Sequence, residues 1–91
     1  MTTIIMTECV SSFGSRYVSF KEKGTGVSVG EVDRVEGKYV IFSGPSGWLS
    51  EIGSRTKKDV AIKFLQEEIR KAYPTGVEFK WNVMRERYIM A

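Results

Sequence analysis

Acid–base or nucleophilic chemistry in this chain would have to come from Cys9, the adjacent carboxylates Glu67 and Glu68, Asp33 with Glu36, or serines such as Ser43, Ser46 and Ser54. The 91 residues contain no histidine and a single cysteine. None of these sets has the arrangement such chemistry needs. A reactive thiol requires a base or a cation beside it, and Cys9 lies between Glu8 and Val10 in an apolar-rich stretch that reads as half-buried. Glu67 and Glu68 fall side by side in a helical pattern, so their carboxylates point apart. Asp33 and Glu36 read as solvated charges flanking a turn. The serines have no imidazole to draw off a proton. Gly24-Thr25-Gly26 and Gly30 lack the spacing of a phosphate-binding glycine loop, and the segment 44–47 reads as a hairpin turn. The segment 23–29 lacks the stacking aromatics of an RNA-recognition strand. The chain is therefore expected to be no enzyme, with no catalytic residue, no metal ligand, no cofactor and no small-molecule substrate.

Two sets of residues have positive content, both of them for binding. Met84, Arg85, Arg87, Tyr88 and Ile89 have the Tyr/Arg/Met bias of interface cores and are expected to meet a protein partner or a second copy of the chain. Arg55, Lys57 and Lys58 cluster at a helix start, where cations run against the helix dipole. With Lys80 and the C-terminal arginines they form the alternative, a nucleic-acid surface. Fourteen Lys/Arg against eleven Asp/Glu give a net charge of +3, a mild excess that permits nucleic-acid binding without requiring it.

The elements that must position these residues follow from periodicity. Segments 16–21 and 27–33 alternate apolar and polar residues, as half-buried strands do, and Gly30 breaks the phase of the second, which suggests a bulge. Segment 38–43 is apolar on both faces and reads as the most buried strand; 48–52 reads as another, and an earlier one is expected near 4–10. Short connections make these an antiparallel meander. Thr56 and Asp59 resemble a capping box, opening an amphipathic helix over about 56–73 with Ala61, Leu65, Ile69 and Tyr73 on its apolar stripe. Pro74 ends the helix. Val77, Phe79, Trp81 and Val83 then share one face of a returning strand, which puts Trp81 in the core.

The expected fold is thus α+β: one domain, residues 1–91, with a small antiparallel sheet of four to six strands packed by one helix. One helix covers one face, which leaves the other solvated or engaged by a partner. Segments 39–42 and 48–52 and the helix opened by Thr56 resemble, in order, the small DNA-reading sheet domains at the N-terminus of phage-type recombinases. Such domains stop after their helix, whereas this chain returns with a strand. No apolar run approaches the roughly 20 residues of a membrane helix, the N-terminus lacks the charge and apolar pattern of a secretory signal, and one cysteine precludes an internal disulfide. A cytoplasmic adaptor or inhibitor, of a kind common in phages and mobile elements, is the expected class.

Overall fold

The computed structural model describes residues 1–12, 14–44 and 48–82. Six strands and one helix follow in the order β1 (Thr2–Val10), β2 (Arg16–Glu22), β3 (Ser28–Val35), β4 (Lys38–Ser43), β5 (Ser50–Arg55), α1 (Lys58–Ala72) and β6 (Val77–Trp81). The first five form an antiparallel meander, because each connection is too short for anything but a reversal. The β3–β4 turn shows this locally. Its two residues, Glu36 and Gly37, have φ of 49° and 80°, the mirror-image turn whose twist suits a hairpin.

α1 then carries the chain from the β5 edge to the opposite edge, where β6 pairs in parallel with β1, giving the strand order β5-β4-β3-β2-β1-β6. The sheet is therefore mixed, with the returning strand as its one parallel member. A reversal from β5 would have placed β6 antiparallel beside it, but the apolar stripe of α1 must lie across the sheet, and that crossing delivers the chain to the far side.

The core lies between α1 and one face of the sheet. Ile4, Met6, Val18, Phe20, Val29, Val32 and Ile41 meet Ala61, Leu65 and Ile69, and burying each of the larger side chains stabilises the fold by about 1.5–3 kcal/mol. Gly30 lets the helix sit close. A Cβ there would fall 2.9 Å from Leu65 Cδ2 and 3.2 Å from the Phe42 carbonyl oxygen. The expected bulge is also present, as a register shift between Phe20 and Lys21 opposite β3. β6 is held to this core by Phe79, whose ring meets Phe20 edge-on at 6.2 Å between centroids, with the Arg70 guanidinium 5.2 Å above it. Such contacts each add about 0.5–1.5 kcal/mol.

Three details depart from the sequence reading. β2, with Val18, Ser19 and Phe20 buried, and β3, with Val29, Gly30 and Val32 buried, are the most enclosed strands, whereas β4 buries only Ile41. β4 lies one place from the sheet edge, and no described element covers its second apolar face. Trp81 is 42% exposed, because β6 is an edge strand and its last residue lies beyond the helix's cover. The capping box does not form: Lys57 occupies the N-cap position without a side-chain cap, and the helix spans Lys58–Ala72. The segment resembling a recombinase domain is embedded in the larger sheet, since α1 packs over β3 as well as β4 and β5. Among the described residues no helix is long and apolar enough to cross a membrane.

Candidate functional site

The alternation of each strand assigns its side chains to one of two faces. Ile4, Met6, Val18, Phe20, Val32 and Ile41 point toward α1. Register then places Thr7 and Cys9 of β1, Tyr17, Ser19 and Lys21 of β2, Glu31 and Asp33 of β3, and Val40 and Phe42 of β4 together on the other face. No described element covers it. Even so, Ser19 is only 6% exposed, and most of its neighbours are half-buried by one another.

At the centre of this face is a polar cluster. The Cys9 Sγ lies 3.6 Å from the Thr7 carbonyl oxygen and 3.9 Å from Ser19 Oγ. Burial, then the Cys9 thiol and the carboxylates of Glu31 and Asp33, hold the Tyr17 phenol above its ordinary range. The carboxyl of Glu31 is pushed up to about 7, first by burial, then by a hydrogen bond with Asp33 and by that residue's like charge, with Lys21 opposing. Asp33 Oδ1 is buried and has no hydrogen-bond partner among the described residues. A buried acceptor left unpaired costs about 1–3 kcal/mol. The cluster is thus rich in protons, short of one donor, and flanked by the half-buried apolar Val40 and Phe42.

Asp33 therefore belongs inside β3 with Glu31 as its neighbour. The sequence reading ends the strand at Asp33 and treats that residue as a solvated charge flanking the turn, whereas β3 continues to Val35. The clue was available: Glu31 and Asp33 are two apart and share the phase of Tyr17 and Ser19 across the hairpin. Among the described residues no group of three or more His, Cys, Asp or Glu is placed to hold a metal ion.

The basic residues are dispersed differently from their order in the chain. Arg55 stacks its guanidinium 4.4 Å above the Phe64 ring and donates to the Ser54 carbonyl oxygen at 2.6 Å. Lys57 is exposed at the N-cap. Lys58 Nζ lies 2.9 Å from Glu8 Oε1, which ties the helix start to β1. Lys80 stands on the opposite edge of the sheet, 3.8 Å from Glu78 Oε1. Met84, Arg85, Arg87, Tyr88 and Ile89 lie outside the described residues. Trp48 is 82% exposed beside β5.

A second feature was not anticipated. Below the start of α1, on the helix side of the sheet, a cavity of about 280 Å³ is lined by residues including Arg16, Arg34, Lys58, Glu8 and Tyr39. The arginines come from β2 and β3, and sequence distance hid their approach.

Comparison with known families gives one similarity: the model of the KRAB box matches residues 54–90, less than half of the chain. The matched stretch begins at the end of β5, runs through α1 and β6, and ends outside the described residues. It is no separate unit here, since α1 gives Ala61, Leu65 and Ile69 to the common core. No curated protein and no solved structure matches the chain.

Proposed function

We propose that this chain is a cytoplasmic, non-enzymatic interaction domain that docks a protein partner, or a second copy of itself, on the uncovered face of its sheet. The observation that carries the reading is Asp33 Oδ1, a buried acceptor with no hydrogen-bond partner among the described residues, on a face that no described element covers. A partner placing a hydrogen-bond donor over Asp33, with apolar side chains against Val40 and Phe42, would relieve that deficit and bury further apolar surface. The thiol, phenol and carboxyls lie in one cluster without a nucleophile–base pair, which supports binding over catalysis.

The KRAB-box similarity is neutral toward this reading, because residues 54–90 exclude β1 to β4, which build the centre of the face. Nucleic-acid binding stands second: Lys80 on β6 and Arg55 on β5 lie at opposite edges of the sheet, and Lys58 is engaged by Glu8.

The test is capture of a protein by the immobilised chain, repeated with Phe42→Glu and Tyr17→Ala on the face and Lys63→Glu on the exposed side of α1. The expected result is loss with the two face variants and retention with Lys63→Glu, while mass in solution identifies self-association. Capture that survives both face variants would remove the reading.

A further inference from the structure

We infer that the cavity beneath the start of α1 is a binding site for a small phosphate monoester, one that carries a dianionic phosphate on a flat, apolar body. The site opens on the α1 side of the sheet, opposite the face proposed for protein docking, with Cys9 and Tyr17 the residues common to both. It also departs from the sequence expectation that no small molecule is bound.

The argument begins with charge. Arg16, Arg34 and Lys58 line one cavity together with a single carboxylate, Glu8. Glu8 is engaged by Lys58 at 2.9 Å, whereas neither arginine has an ion-pair partner among the described residues. Three cations against one anion leave an excess of two positive charges, which matches the roughly −1.5 to −2 carried by a phosphate monoester at neutral pH. A guanidinium presents its donors as a planar fork suited to phosphate oxygens, and two forks from neighbouring strands can take different edges of one phosphate.

The walls supply the second half. Val10, Val18 and Val32 give an apolar lining, and Tyr39, on the same face of the sheet, adds an aromatic ring. At about 280 Å³, the cavity stands at the small end of ligand sites, which run from roughly 300 Å³ upward. A phosphate with one aromatic ring suits that volume, and a nucleoside monophosphate would reach its limit. Arg16 and Arg34 are exposed at the rim, and what sets the site apart is the recess between them, floored by the buried Val18 and Val32.

The experiment titrates the full 91-residue chain with phenyl phosphate, a nucleoside 5′-monophosphate, inorganic phosphate and a single-stranded oligonucleotide. Dissociation constants and amide shifts are followed by NMR. Phenyl phosphate is expected to saturate the protein, with the largest shifts around Val10, Arg16, Arg34, Tyr39 and Lys58. Arg16→Gln and Arg34→Gln are each expected to weaken binding about tenfold, the equivalent of one charge-assisted hydrogen bond. Arg34→Lys, which keeps the charge and loses the fork, is expected to weaken it by less, and Glu8→Gln to tighten it by removing the competing carboxylate. Lys57→Gln, outside the lining, is expected to change nothing. The monophosphate arm reads whether a nucleoside or a simpler aromatic body is preferred, and either preference supports the site. No saturation at about 5 mM, where even an inefficient ligand of this size registers, overturns the proposal. So does undiminished affinity in both arginine-to-glutamine variants, inorganic phosphate binding as tightly as phenyl phosphate, or an oligonucleotide that binds where phenyl phosphate does not.

Discussion

The two faces of the sheet are built from the same strands, residue by residue in alternation, yet they solve different problems. Toward α1 the side chains are apolar and closed over by Ala61, Leu65 and Ile69. On the other face the same strands offer Cys9, Tyr17, Ser19, Glu31 and Asp33, half-buried by one another. Stability therefore resides on one face and unmet hydrogen bonding on the other. Truncation separates them most sharply. Leu65→Ala, which empties a fully buried position, is expected to destabilise the fold by about 2–5 kcal/mol, read as a lower urea midpoint. Phe42→Ala on the uncovered face removes a side chain of larger size that is only half-buried, and should cost clearly less. Equal losses would mean that the uncovered face is a second core.

Gly30 tests how tightly the covered face is closed. An added Cβ meets Leu65 at 2.9 Å and 3.0 Å and the Phe42 carbonyl oxygen at 3.2 Å. Leu65 can rotate away, but the carbonyl is backbone and cannot. Gly30→Ala is accordingly expected to cost about 1–3 kcal/mol by overpacking. In a Leu65→Ala background the part of that cost owed to the Leu65 methyl groups should vanish, and the part owed to the Phe42 carbonyl should remain. A double-mutant cycle in urea measures the coupling, and strict additivity would show that Leu65 is not the obstacle.

The covered face was readable in the sequence, and the uncovered one was not. Period-two alternation in β2 and the stripe Ala61, Leu65, Ile69 are local signals, and they locate the helix, the single-helix cover and the strands of the meander, with β5 shifted from the expected 48–52 to Ser50–Arg55. The polar cluster needs registers across three hairpins before Cys9, Tyr17 and Asp33 become neighbours, and no local period encodes a register. The same limit hid Arg16 and Arg34, eighteen positions apart in the chain. Trp81 shows the converse error. Its phase was right, but burial also depends on the place of β6 in the sheet, which only the crossing of α1 decides. The capping box failed for a further reason: Thr56 lies one residue too early, and the helix begins at Lys58.

Glu31 gives the uncovered face its pH dependence. Its carboxyl titrates at about 7 in the folded chain against an ordinary value near 4.5. Between those two values the folded state keeps a proton that the unfolded chain has released, so stability falls as pH rises through the interval and the full penalty is present above pH ~7. Below pH ~4.5 the penalty is absent. Glu31→Gln should therefore be nearly neutral at pH 4 and stabilise the chain by about 1–2 kcal/mol at pH 8, with solvent screening of this partly exposed group keeping the figure below what the shift alone implies. Thermal midpoints across pH measure it. In Asp33→Asn the Glu31 value should fall but stay above the ordinary range, because burial is the first of its causes. A full return to the ordinary value would make the neighbouring charge the dominant cause.

The smallest expected effect lies where the covered face opens into the cavity. Lys57 has the extended backbone of an N-cap, φ −119° and ψ 138°, but makes no side-chain cap, so the first N–H groups of α1 lack the acceptor that serine or aspartate would supply. Lys57→Ser is expected to stabilise the domain by about 0.5–1 kcal/mol, and Lys57→Asp slightly more, since its charge also suits the helix N-terminus. Because Lys57 does not line the cavity, the serine variant should gain this stability without altering phosphate affinity. The lysine there thus sacrifices helix stability, and if both variants proved less stable than the parent, Lys57 would have to be making a contact that its position at the cap does not explain.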